Sequence, residues 1–373
     1  MNQEELLLAD IAAAPSDDHP RLSYADWLET QTGDRARAVF IRAQCALART
    51  PAHGPRFHRL SRLVRRLLAR HQDAWVGELG DLIAANGDGT FRNAAFRGGW
   101  LDRLDLDQVE NDDAERLAGA GCARLLSELT IRSVGRRLGR SAVDRARAGE
   151  VFARLATTST LRQLRCLSCA DPASSAEPGD DVARHLPAFV ARLTRLEILR
   201  VEGFALDANR LFALSNLGRL EELSLSGRFA EPLRLEILAG NPHVRSLKDL
   251  SLVPTPGEGV ALAEPVPLVG LRELLFSPNL PNLTSLTVHF GSLGRRGCEC
   301  LVASGVLGRL EVLDLRCCGL DDAALGVLAS SADVAGLKAL CLRDDDDRGG
   351  RYANTFTAAG LRALRRAGFR KEV

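Results

Sequence analysis

The chain has 373 residues, with 49 Lys and Arg against 48 Asp and Glu and a formal net charge of +1. That balance excludes whole-chain steering toward nucleic acid or an acidic membrane, and no apolar run approaches the roughly 18 residues of a membrane span. Leucine occurs 63 times, about 17% of the chain and well above ordinary usage, so an apolar pattern must recur. Lysine is confined to Lys248, Lys338 and Lys371, a bias that reads as genome composition before it reads as arginine-specific chemistry.

The N-terminus, Met1-Asn2-Gln3-Glu4-Glu5, is acidic and lacks the basic start and apolar stretch of a secretory signal. Nine cysteines, an odd number, accompany it. Reduced thiols and a cytoplasmic location are therefore expected. Three helical patterns follow, over residues 4–13, 20–31 and 34–49. Pro15-Ser16-Asp17-Asp18 and Thr32-Gly33-Asp34 punctuate them, with Asp at the expected N-caps. Tyr24, Trp27, Leu28, Phe40 and Ile41 are expected to form the core of a small all-α cap, with Asp26 and Arg42 as its internal ion pair. The competing reading is a peptide-binding surface around Trp27.

The stretch Pro20-Arg21-Leu22-Ser23-Tyr24-Ala25-Asp26-Trp27-Leu28-Glu29, followed by Gly33-Asp34-Arg35-Ala36-Arg37-Ala38-Val39-Phe40-Ile41-Arg42-Ala43-Gln44, resembles the bacterial repeat-companion domain. That family carries an RL-YADWLEE-GD--RAEFIR-Q pattern and precedes leucine-rich repeats. Val39 and Ala43 depart from it, standing where the family has Glu and Leu. The resemblance extends more weakly to Arg97-Gly98-Gly99-Trp100-Leu101. It implies a protein-interaction architecture and brings no established activity or cofactor.

Residues 56–70 carry six arginines and no acid. Phe57, Leu60, Val64, Leu67 and Leu68 form one helical stripe, and Arg59, Arg62, Arg66 and Arg70 share the opposite face. Such a stripe suits phosphates or an acidic protein surface. The plainer reading is a solvated amphipathic helix.

From Trp100 onward the string L-x-x-L-x-L recurs: Leu101/Leu104/Leu106, Leu126/Leu129/Ile131, Leu161/Leu164/Cys166, Leu196/Leu199/Val201, Leu220/Leu223/Leu225, Leu247/Leu250/Leu252, Leu283/Leu286/Val288, Leu310/Leu313/Leu315 and Leu337/Leu340/Leu342. First positions are 25, 35, 35, 24, 27, 36, 27 and 27 residues apart. These spacings sit at or above the period of about 20–29 residues of a leucine-rich repeat, the longer ones reading as insertions. Alternation predicts nine short parallel strands with inward apolar residues and solvent-facing intervening ones. Segments such as 322–331 have helical spacing and suit the convex side, where residues 271–276 also belong. Residues 171–181 and 254–267 read as loop insertions. The ninth positions, often Asn or Cys in such repeats, are matched only by Cys169 and Cys318. A last helix over 357–367 closes the open end.

The expected fold is thus α/β: a leucine-rich-repeat solenoid, a horseshoe with strands concave and helices convex, behind a small all-α cap. Residues 1–50 form the helical repeat-companion domain, 51–97 the Arg-rich helix and lead-in, and 98–373 the repeats. Cys166-Leu167-Ser168-Cys169 has C-x-x-C spacing but no second pair or matching histidines, so both thiols read as core. Cys298, Cys300, Cys317 and Cys318 have only His289 near them, placed on a strand. Asp344 to Asp347 lacks a spaced calcium loop and reads as a solvated turn. No Walker loop, H-E-x-x-H, G-x-S-x-G or G-x-G-x-x-G occurs.

No enzyme activity, metal or cofactor is expected. The expected function is a scaffold that binds an unidentified protein through its concave face. The solvent-facing fifth and seventh positions of the repeats supply the candidates Asp105, Asp107, Arg132, Arg165, Arg200, Glu202, Ser224, Ser226, His289, Asp314, Arg316 and Arg343. The alternatives are nucleic-acid or acidic-surface binding through Arg59, Arg62, Arg66 and Arg70, and, second, a metal-dependent or redox role for the scattered cysteines brought together in three dimensions.

Overall fold

The computed structural model describes residues 2–134, 142–170, 181–204, 206–229, 231–254, 266–344, 350 and 352–369, with backbone alone for 142–148 and 181–183. The chain opens with helix α1 (Gln3–Ala13), whose N-terminus is closed by a reciprocal pair: Glu5 N–H donates to Asn2 Oδ1 (2.8 Å) and Asn2 N–H to Glu5 Oε2 (3.0 Å). Helix α2 (His19–Trp27) runs into a wider turn over Leu28–Thr32, which Gly33 ends at φ 77°. Helix α3 (Arg35–Ala48) is capped by Asp34, which accepts from Arg37 N–H at 2.9 Å. Helix α4 (Pro55–Val76) follows. Tyr24, Leu28 and Ile41 are buried together with Ile11 and Trp100, Phe40 packs with Val64 and Leu68, and Trp27 lies half-buried against the first group. Arg42 pairs with Asp26 (2.6 Å) and Glu29 (2.7 Å). These aromatic residues thus serve as core.

A hairpin joins these helices to the sheet. Strand β1 (Ala94–Arg97) pairs antiparallel with β2 (Trp100–Leu106) across Gly98 and Gly99, both at positive φ. A Cβ on Gly99 would lie 2.3 Å from Ile41 Cγ1, so α3 sits directly on the turn. From β2 the chain alternates strand and helix: α5 (Asn111–Gly119), β3 (Glu128–Ile131), α6 (Ala142–Thr157), β4 (Cys166–Ala170), α7 (Asp181–Val190), β5 (Ile198–Glu202), α8 (Ala208–Phe212), β6 (Glu222–Gly227), α9 (Leu235–Gly240), β7 (Asp249–Pro254), α10 (Leu268–Leu275), β8 (Ser285–Val288), α11 (Gly294–Ala303), β9 (Val312–Asp314), α12 (Asp322–Ala329), β10 (Ala339–Cys341) and α13 (Ala358–Arg366). The result is one open ten-strand sheet in sequence order, parallel from β2 to β10.

Register explains the leucine excess. Leu104, Leu129, Leu167, Leu199, Leu223, Leu250, Leu286, Leu313 and Leu340 lie opposite one another along the sheet, each at most 2% exposed. Burying each such side chain contributes about 1.5–3 kcal/mol. The same register corrects the third triplet. Leu167, not Leu164, pairs with Leu129, and Cys169 with Ile131. The inward set is therefore Leu164, Leu167 and Cys169. Cys166 faces the other way, because side chains three apart on a strand point to opposite faces.

Asparagines do bind neighbouring turns here, but at places other than the ninth position. Asn216 Nδ2 donates to Val190 and Leu193 carbonyls, and Asn241 Nδ2 to Phe212 and Leu214. Near the C-terminal end, Asn354 Nδ2 donates to Leu315 and Leu342 carbonyls while its Oδ1 accepts from Cys318 and Leu320 N–H. Each satisfies carbonyls that the short helices and strands leave without partners. Most of the expected loop insertions, and Asp345, Asp346 and Asp347, lie outside the described residues. Asp344 is engaged by the backbone, accepting from Cys317 and Asn354 N–H.

Candidate functional site

The face of the sheet opposite the leucine row carries three further rows, set by the parallel register. The central one includes Asp105, Thr130, Ser168, Arg200, Ser224, Ser251, Thr287 and Asp314. Most of these are half-exposed, and Arg200 is exposed. The middle of the face is therefore lined by small hydroxyl side chains. Charged residues stand along its margins, among them Arg103, Glu128, Glu222, Asp107, Arg132, Glu202 and Arg343.

Cross-strand ion pairs consume much of this charge. Arg200 donates through Nε and Nη2 to Glu222 (2.5 and 2.7 Å). Arg165 does the same with Glu197 (2.9 and 2.8 Å). The carboxylate bonds raise the pKa of both guanidinium groups further. Arg132 lies 3.5 Å from Asp107. Lys248 meets Glu221 and Lys338 meets Glu311, each at 2.7 Å. Arg165 is not at a fifth position: once the third repeat is shifted into register, it occupies the second position beside Glu197. The pairing of Arg165 with Glu197 depends on that shift, whereas Glu221 with Lys248 and Glu311 with Lys338 occupy second positions of unshifted triplets. The open face is thus largely neutralised from within.

His289 and Asp314 are not solvent-facing. Both are buried, at 9% and 6% exposure. His289 lies just past β8, where its Nε2 sits 3.0 Å from Asp314 Oδ1. Arg316 binds the same carboxylate, with Nη2 2.8 Å from Oδ2. Burial acts to raise the Asp314 pKa, but hydrogen bonds from His289 and Arg316 outweigh it and hold the carboxyl below its usual value. The physical reason for the burial is the turn after each strand: Phe290 and Cys317 take positive φ and pack with Tyr352 over this end of the sheet. Of the remaining candidates, Glu202 and Arg343 are exposed and Ser224 and Ser226 half-exposed.

The four stripe arginines of α4, Arg59, Arg62, Arg66 and Arg70, are all exposed, and none has an ion-pair partner among the described residues. The thiols do not assemble a site: Cys166 and Cys169 point to opposite faces, Cys318 Sγ donates to the Val288 carbonyl, and burial pushes the Cys298 thiol up to about 12. No group of three or more His, Cys, Asp or Glu fit to hold a metal occurs among the described residues, and none of the described helices is long and apolar enough to cross a membrane.

No family model matches the chain, and no curated protein matches it. Solved structures similar to it include the following two. A protein from Bacteroides fragilis aligns at 15% identity and a TM-score of 0.42, covering 71% of this chain and 72% of that one. The Rad7 and Elc1 complex of yeast aligns at 14% identity and a TM-score of 0.47, covering 99% of this chain and 78% of that one. At these values neither carries an argument about function.

Proposed function

We propose that this chain is a leucine-rich-repeat solenoid behind a helical cap of the repeat-companion type, and that it works as a non-catalytic, cytoplasmic scaffold binding a protein partner on its concave face. One observation carries this reading: between β3 and β8 the central row of the sheet is half-exposed Thr and Ser side chains, interrupted on β5 by Arg200, whose charge is paired with Glu222. Small side chains let a partner approach the backbone closely, while paired charges at the margins select a complementary polar pattern. The row carries no Tyr or Trp of the kind that anchors tight interfaces, so affinity is modest.

A photo-crosslinking residue at Ser224 tests this against one at Val269, which is 76% exposed on α10. The proposal expects one protein to crosslink from position 224 and not from 269. Equal crosslinking from both positions, or none from 224, overturns it.

A second reading is favoured by the partnerless arginines of α4. They form a cationic stripe suited to nucleic acid or another acidic surface. It predicts binding to duplex or single strands that falls steeply with salt and is lost in Arg59→Gln/Arg66→Gln protein. A gel-shift experiment without any retarded species disposes of it.

A further inference from the structure

A cleft opens where the N-terminal helices meet the first strands of the sheet. Its wall includes Arg21 from α2, Arg97 at the end of β1, Arg165 ahead of β4 and Arg195 ahead of β5. Residues distant in sequence are thus brought to one place, with Ile11 and Leu125 supplying apolar wall. The carboxylate in the lining is Asp102. It already accepts the Ser127 hydroxyl at 2.7 Å.

The four guanidinium groups are not equally engaged. Arg165 is held in a two-bond fork by Glu197. Arg195 donates from Nη1 to the Ala12 carbonyl, which ties α1 to the sheet. Arg21 donates from Nη1 to the Asp17 carbonyl (3.0 Å), while its Nε is buried with no hydrogen-bond partner. Arg97 is exposed and has no side-chain partner among the described residues. With Arg165 balanced by Glu197 and one further arginine by Asp102, two positive charges remain. A buried donor with nothing to donate to is costly. This Nε packs against Gly98, where an added Cβ would lie 2.3 Å from it, so the surplus positive charge of the cleft and not this donor argues for a bound anion.

We propose that this cleft binds a phosphate-class dianion, gripped by Arg21, Arg97 and Arg195. A tetrahedral dianion matches the two surplus charges and offers oxygens to several guanidinium groups at once, where a planar carboxylate offers only two oxygens and one charge. The cavity, about 70 Å³, has room for one such group. Because it lies at the junction of α1, α2 and the sheet, an ion held there also braces the helices against the strands.

The test is isothermal titration of the full chain with inorganic phosphate at constant ionic strength, chloride serving as the reference anion. A parallel titration uses phenyl phosphate, which separates a monoester ligand from the free ion. Saturable one-to-one binding is expected, weakened at least about tenfold in Arg97→Gln protein and unchanged in Arg66→Gln protein. Arg97→Gln leaves the fold intact, because the side chain contributes no internal bond. On the wild-type chain, phosphate should also protect Arg97 from phenylglyoxal while Arg59 and Arg62 stay reactive. Absence of saturable binding, equal binding in the Arg97→Gln protein, or protection of the α4 arginines instead would overturn the proposal.

Discussion

Gln44 is the hinge-pin between the N-terminal helices and the sheet, and replacing it by leucine isolates that role. Its Oε1 accepts the buried Gly99 N–H at 2.6 Å and its Nε2 donates to the Phe96 carbonyl at 3.1 Å. Leucine keeps the volume and removes both bonds. Each orphaned backbone group costs about 1–2 kcal/mol when water cannot reach it, so Gln44→Leu should destabilise by about 2–4 kcal/mol. Hydrogen exchange at the Gly99 amide reads the local effect directly, and the same free energy corresponds to exchange faster by about 30-fold to nearly a thousandfold. Chemical denaturation reads the global effect. Val39→Thr, at a 39% exposed site on the same helix, is the control and should stay within about 0.5 kcal/mol. Unchanged Gly99 exchange in Gln44→Leu, together with unaltered stability, would refute the clamp.

Three further outcomes follow from the structure. Asp314→Asn should cost about 2–4 kcal/mol at neutral pH, because it leaves His289 and Arg316 facing an uncharged group. The wild-type carboxyl sits below its usual value of 3.8, so its contribution is fully present above about pH 4 and is lost as pH falls through the lowered folded value. The gap between variant and wild type in acid denaturation should therefore close below pH 4. Alkylation of the native chain, followed by mass spectrometry, should modify half-exposed Cys300 and Cys166 well before buried Cys169, Cys298 and Cys318. Arg37 lies over the Trp75 ring, 4.8 Å from its centroid; burial lowers its pKa to about 10, and its Nη1 has no partner. Arg37→Leu should lie within about 1 kcal/mol of wild type in thermal unfolding, because lost cation–π attraction and relieved desolvation offset one another.

The order of elements was legible because strand and helix leave different apolar periods. Nine inward triplets predict nine parallel strands, and β2 to β10 provide them in sequence order. The antiparallel β1 escaped notice, since Ala94-Ala95-Phe96-Arg97 carries no triplet. Asn354 escaped for a similar reason, as it joins turns far from it in sequence through hydrogen bonds alone.

The sequence by itself determined the leucine row, and with it the direction and spacing of the strands, because burying those side chains dominates every alternative. Within Leu161-Arg162-Gln163-Leu164-Arg165-Cys166-Leu167-Ser168-Cys169, however, the apolar string can be read in two overlapping ways. Only pairing with Leu129 on one side and Leu199 on the other selects Leu167. That choice turns Cys166 outward and sets Arg165 beside Glu197. The leucine excess was thus local information. The neutralised open face and the arginine-lined cleft were decided by tertiary structure, since each depends on charges from different strands or helices meeting only when the chain is folded.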